Sequence, residues 1–132
     1  MRFGDGEYVF VLPIALEKVG PMEKTKLIYV ASPYAGEVRE NVKNARRYCK
    51  FVMDEGHIPY APHLLFTQFL DDDIPTERAL GLDLGLQMIY RCDELWAFGD
   101  ISSGMQKEVL RALNLDKPIK RFNEDCQPME VT

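Results

Sequence analysis

Tyr29, Ser102, Ser103 and Glu108 are the residues of this chain whose types and spacing point most directly to chemistry. The stretch Ile101-Ser102-Ser103-Gly104-Met105-Gln106-Lys107-Glu108 follows a short apolar run, Glu94 to Phe98, and leads into a helical pattern with Met105, Val109, Ala112 and Leu113 on one face. It reads as a strand-to-helix turn. Such a turn aims free backbone N–H groups, two hydroxyls and the positive end of a helix dipole at one place, which suits a phosphate or another anion. Glu108, one turn into the helix, has two readings. It is a first-turn acid that complements the dipole, or a reactive carboxylate held beside the anion site. A carboxylate can attack the anomeric carbon of a nucleoside and form a glycosyl ester, because an anion stabilises the oxocarbenium-like transition state. Tyr29, inside the apolar run Leu27 to Ala31, is either a core aromatic or a phenol that reaches a carboxylate across a crevice. A buried phenol needs a hydrogen-bond partner in both cases.

The remaining polar candidates carry weaker signals. His63 follows Pro62 in a loop, and with His57 the only other histidine there is no metal-ligand spacing to recognise. Asp71-Asp72-Asp73 reads as a solvated acidic loop in preference to a hard-cation site. Asp93 reads as a turn acid.

The elements that must position these residues alternate. Leu27-Ile28-Tyr29-Val30-Ala31 reads as a central parallel strand, ending in the loop Ser32-Pro33-Tyr34-Ala35-Gly36. A helix follows, with Ala45, Tyr48, Cys49, Val52 and Met53 on its inner face and Arg39, Lys43, Arg46, Arg47 and Lys50 outside; Gly56 stops it. His57 to Ala61 is a short strand placed at an edge by Pro59. Residues 62–70 read as a short helix. A third helix spans about Thr76 to Arg91, with Thr76 as cap and Ala79, Leu82, Leu86 and Ile89 facing inward. The strand Glu94 to Phe98, the helix Gly104 to Leu115 and a last strand at Lys117 to Phe122 complete the pattern, and the polar tail from Asn123 is expected to be mobile. Alternating strands and helices predict a parallel sheet of four to five strands covered on both faces, a three-layer α/β sandwich. Its ligand crevice belongs beyond the carboxyl ends of the strands, at Ser32 to Gly36 and Gly99 to Gly104.

At 132 residues the chain reads as one domain, with 46% apolar and 28% charged residues. A net charge of −5 argues against a broad nucleic-acid surface, which would be basic, and leaves room for a small nucleotide. Three cysteines with no CxxC pair suit a reducing, cytoplasmic setting. No run is long enough to span a membrane. The apolar run Tyr8 to Leu16 has acids before it and Glu17-Lys18 after it, so a signal peptide is disfavoured. Residues 1–25 read as an N-terminal extension or arm; with a natural start at Met22, residues 1–21 read as an appendage.

Three motifs in order resemble the nucleoside 2-deoxyribosyltransferase superfamily: Ile28 to Gly36, Arg91-Cys92-Asp93-Glu94-Leu95-Trp96, and Ser102 to Ala112. The chain is similar in particular to a branch of small uncharacterised proteins within it, described only as a domain of unknown function. The similarity covers residues 26–122 and implies a Rossmann- or flavodoxin-like fold. It implies cleavage or transfer of the N-glycosidic bond of a nucleoside or nucleotide, with Glu108 as nucleophile and Tyr29 as its support. By the same resemblance Ser102 holds a 5′-phosphate, Gly104 and Ala112 frame the glutamate, and the protein is a homodimer or higher oligomer. The expected substrate-binding set is Ser32, Tyr34, Gly36, His63, Asp93, Ser102, Ser103, Gly104 and Met105. No metal, other cofactor, nucleic acid or membrane is expected. The sequence departs from the family at two positions. The aspartate that handles the leaving base falls at Gly85, with Asp83 about 200° away on the helix, and a phosphate-binding arginine falls at Ala35. These departures leave a second reading open, in which a nucleotide-derived ligand such as an ADP-ribose or NAD derivative is bound and not cleaved.

Overall fold

The computed structural model describes residues 2–3, 7–8 and 24–130. The apolar run from Val9 to Leu16 lies outside them. Before it, β1 (Arg2–Phe3) and β2 (Glu7–Tyr8) pair antiparallel. The body then runs β3 (Leu27–Ala31), α1 (Val38–Asp54), β4 (Ile58–Tyr60), α2 (Pro62–Leu65), α3 (Pro75–Arg91), β5 (Glu94–Phe98), α4 (Ser103–Asn114), β6 (Ile119–Phe122) and β7 (Pro128–Met129).

Five strands form one sheet in the order β4-β3-β5-β6-β7. The first four are parallel, and β7 pairs antiparallel with β6. Buried strands of this kind are apolar along their whole length, because helices cover both sides. β5 is accordingly buried at all five positions, and β4, with Pro59, is the edge. One face of the sheet carries Ile28, Val30, Trp96, Phe98 and Phe122, packed with Tyr48 and Val52 of α1. The other carries Tyr29, Ala31, Leu95 and Ala97, packed with Ile89 of α3 and with Met105 and Ala112 of α4. The chain reverses direction across the sheet between β3 and β5, so the crevice between their carboxyl ends is where a ligand belongs. Both expected loops open there.

Several expectations change. The stretch after Phe122 turns back through Asn123, whose side chain accepts from the backbone N–H groups of Asp125 and Gln127, and so delivers β7 to the sheet. The inward stripe of α4 is Met105, Glu108 and Ala112, with Leu115 beyond its end, while Leu113 is exposed. On α3, Ala79 and Leu82 face outward, and Gly85 and Ile89 are its buried residues. α3 opens on Pro75 in its first turn and not on a Thr76 cap. Met53 of α1 is exposed.

Candidate functional site

The site begins with a polar pair inside an apolar layer. Tyr29 lies at the middle of β3 and points to the α3–α4 face. Glu108 lies one turn into α4, between Met105 and Ala112 on the stripe that packs on the same face. The two are 1% and 8% exposed, and the Tyr29 hydroxyl donates a hydrogen bond to Glu108 Oε2. Burial pushes the Glu108 carboxyl up to about 7, against the opposing pull of the tyrosine hydrogen bond. Burial also raises the Tyr29 phenol well above its usual range, and the charge of Glu108 adds to this. The phenol therefore stays a donor, and the carboxyl changes charge near neutral pH.

Gly85 lets α3 approach this pair. A Cβ there would stand 3.3 Å from Tyr29 Oη and 3.8 Å from Pro62 Cβ. Gly81, one turn earlier, faces Leu70 and Phe66 in the same manner. The missing side chains bring residues 62–70 and α3 together over the tyrosine.

The loop after β3 forms a second wall. Ser32 is buried, and its carbonyl accepts from His63 Nε2 at 2.8 Å. A carbonyl cannot donate, so this bond fixes the proton on Nε2. Burial lowers the His63 pKa, with the Ser32 bond and the charge of Asp72 pulling the other way. The His63 ring stacks on Tyr34, with centroids 5.0 Å apart and planes at 24°. Asn41 Nδ2 donates to the Tyr34 and Ala35 carbonyls and ties the loop to α1. Beside Tyr34 is a cavity of ≈ 630 Å³ whose lining includes Phe69, Leu70, Asp71, Asp72, Asp73 and Glu77. This cavity opens beside the loop after β3, with Tyr34 the one expected site residue in its lining, and it is not over Glu108. The Tyr34 phenol is raised by burial and then by the charges of Asp72 and Asp73, so the acidic loop acts on this wall.

The turn after β5 forms the third wall. Gly99 takes φ of +75°, a left-handed conformation that favours glycine, and its carbonyl accepts from Arg121 Nη2 at 2.9 Å. Ser102 Oγ accepts from the Met105 N–H at 3.3 Å and so caps α4. Ser103 and Gly104 are exposed at the first turn.

The expected residues thus divide. Tyr29, Ser32, Tyr34, Gly36, His63, Ser102, Ser103, Gly104 and Glu108 belong to the carboxyl end of the sheet or to the layer just beneath it. Met105 belongs to the core: its side chain is 1% exposed, and its N–H is taken by Ser102. Asp93 stands at the opposite end. Its carboxylate accepts from the Leu27 N–H at 2.7 Å where β3 begins, roughly 16 Å of strand from the crevice. Asn41, Arg121 and the ion pair of Lys26 with buried Glu94, at 2.6 Å, had no signal in the sequence pattern.

The model of a domain family of unknown function, DUF7768, matches residues 26–122. The chain belongs to this family. None of the curated proteins matches. Among solved structures, a 2-deoxyribosyltransferase from Bacillus psychrosaccharolyticus is similar, with a TM-score of 0.64 and 22% identity, over 80% of this chain and 77% of that one. At that identity the likeness is one of fold. The DUF7768 chain has the α/β fold of that enzyme, with a mostly parallel five-stranded sheet.

Proposed function

We propose that this DUF7768 protein cleaves or transfers the N-glycosidic bond of a nucleoside or nucleotide, through Glu108 as nucleophile, and that it belongs to the wider deoxyribosyltransferase superfamily. One observation carries the reading: a phenol on the interior strand β3 donates to a buried carboxylate on α4, beneath the crevice where such sheets bind ligands. The Tyr29 bond orients the carboxylate, and a carboxyl that titrates near 7 offers its anion to an oxocarbenium-like centre at working pH. Ser32, Tyr34 and His63 form the wall against which a sugar or base would lie. The exposed N-terminal turn of α4, at Ser103 and Gly104, is the place for a hydroxyl or phosphate. The fold likeness to an enzyme of this chemistry supports the reading.

The outer surface of α3 bears on the assembly. Leu80, Leu82 and Tyr90 are 48%, 51% and 65% exposed. A helix apolar on several sides belongs in a covered setting, and a homodimer or higher oligomer would cover it.

The test is base release, followed by chromatography, from a panel of nucleosides and nucleotides. The expected result is release by the wild type and at most a trace by Glu108→Ala. Release that survives Glu108→Ala removes Glu108 from the chemistry. A second reading, capture of a nucleotide-derived ligand without cleavage, is favoured by Gly85 and by Ser102 being engaged as a cap. Under it, ADP-ribose, NAD or a nucleoside monophosphate raises Tm and is recovered intact.

A further inference from the structure

A neutral nucleoside gives up its base readily only when the base is protonated, at a ring nitrogen or carbonyl oxygen away from the glycosidic bond, since a purine or pyrimidine anion is a poor leaving group. The groups around the Tyr29–Glu108 pair that could supply that proton are occupied or missing. Position 85, which faces the Tyr29 hydroxyl, is a glycine. The nearest acid on α3, Asp83, is exposed and accepts from Gln87 Nε2 at 2.9 Å. His63 spends its Nε2 proton on the Ser32 carbonyl, and burial favours its neutral form. The Tyr29 proton is donated to Glu108.

The cavity beside Tyr34 points the same way. It is lined by the rings of Tyr34 and Phe69 and by four carboxyl side chains, Asp71, Asp72, Asp73 and Glu77. No Lys or Arg is in that lining, and Arg78 stands outside it, 4.0 Å from Asp72. Aromatic faces beside carboxylates are a setting for an organic cation. Leu70 of that lining packs against Gly81, one turn of α3 from Gly85, which faces the Tyr29 hydroxyl.

We propose that the base released at this site is already cationic, so that the substrate is a pyridinium or N7-alkylpurinium N-glycoside. This rests on the glycosidic reading above. The chemistry then balances without an acid. A Glu108 carboxylate oxygen bonds to the anomeric carbon, and the electron pair of the breaking C–N bond neutralises the positive ring, which leaves as a neutral base. Water then attacks the same carbon, the ester C–O bond breaks and restores the carboxylate, and one proton passes to solvent. The bound cation also stabilises the ionised form of Glu108, so this substrate class promotes its own nucleophile.

The test compares matched pairs on the full chain: N7-methylguanosine against guanosine, and their 2′-deoxy counterparts, with nicotinamide riboside as the pyridinium probe. The uncatalysed rate of each is subtracted. We expect kcat/KM for the cationic member to exceed that of the neutral one by roughly a hundredfold or more, the usual contribution of a general acid that the neutral substrate lacks. Asp72→Asn combined with Asp73→Asn raises KM for the cationic member more than for the neutral one. Equal or faster release of neutral bases overturns the cationic substrate class and leaves the Glu108 reading standing. An equal effect of the loop substitutions on both members overturns the role of the acidic loop. No release from any of these compounds, with wild type and Glu108→Ala alike, overturns the glycosidic reading itself.

Discussion

Glu108 is a carboxyl that folding moves from an ordinary value of 4.5 to about 7. The sign of its effect on stability follows. Between those two pH values the native state holds a proton that the unfolded chain has released, so stability is full below about 4.5 and is lost as pH rises through about 7. A shift of this size corresponds to roughly 3 kcal/mol at most. Urea denaturation between pH 5 and 8 should show that decline, and Glu108→Gln should flatten it. With the Glu108 anion as the proposed nucleophile, the same titration works in the opposite sense on activity: kcat/KM rises with pH through about 7. Tyr29→Phe removes the donor that holds the Glu108 pKa down. It should move the midpoint of that rise to higher pH and lower kcat by roughly ten- to a hundredfold, the worth of one hydrogen bond to a charged group. A Tyr29 that served packing alone would leave the midpoint in place.

At the scale of elements, the site depends on how closely α3 can approach β3. Gly85→Ala sets two effects against each other. Alanine favours a helix interior by about 1 kcal/mol over glycine, but its Cβ would meet Tyr29 Oη at 3.3 Å, and overpacking typically costs about 1–3 kcal/mol. The expected outcome is a small change in Tm with a disproportionate loss of kcat, which parallel melting and rate measurements will separate. At the far end of β5, Glu94 accepts from Trp96 Nε1 at 3.0 Å and from Lys26. Burial alone would raise its pKa, but those hydrogen bonds and the Lys26 charge hold it below the usual carboxylate range. Glu94→Ala leaves the indole N–H without its partner and should cost about 1–3 kcal/mol in chemical denaturation.

The elements also show what a sequence can and cannot reveal. The runs Leu27 to Ala31 and Glu94 to Phe98 announce themselves because strands buried on both faces are apolar throughout. The crevice loops follow from that pattern and from the rule for parallel sheets. On α4 the expected stripe holds at Met105, Val109 and Ala112 and fails at Leu113, which is exposed, while Glu108 joins it, because a polarity pattern passes over a carboxyl that is itself part of the buried face. Gly81 and Gly85 carry no hydrophobic signal, so the pattern points Ala79 and Leu82 inward where they face outward, while Leu86 and Ile89 pack on the core as expected. β7, the dipeptide Pro128–Met129, is too short to show a period. Asp93 looked like a site residue by its motif, and only the strand register, which sets Ile28 beside Glu94, places it at the amino ends.

For the whole molecule, the sheet provides the scaffold, and two of its attachments remain exposed: the apolar outer surface of α3 and the acidic cavity beside Tyr34. If α3 lies in an oligomer interface, light scattering of the wild type gives a multiple of the 15.2 kDa chain mass. Leu80→Arg combined with Leu82→Arg then yields monomers that retain the wild-type circular dichroism spectrum. A monomeric wild type removes α3 from any such role. The acidic cavity should favour a cationic ligand over its neutral counterpart, by an amount that shrinks as salt is added.

Every scale depends on whether Glu108 forms a bond to sugar. The most direct measurement is intact-protein mass spectrometry after rapid acid quench of the protein with a cleavable nucleoside, followed by peptide mapping. A mass increase equal to one glycosyl group, confined to the peptide that carries Glu108 and absent from Glu108→Ala, is the predicted result. Base release by the wild type with no adduct at any quench time, and undiminished in Glu108→Ala, would contradict it.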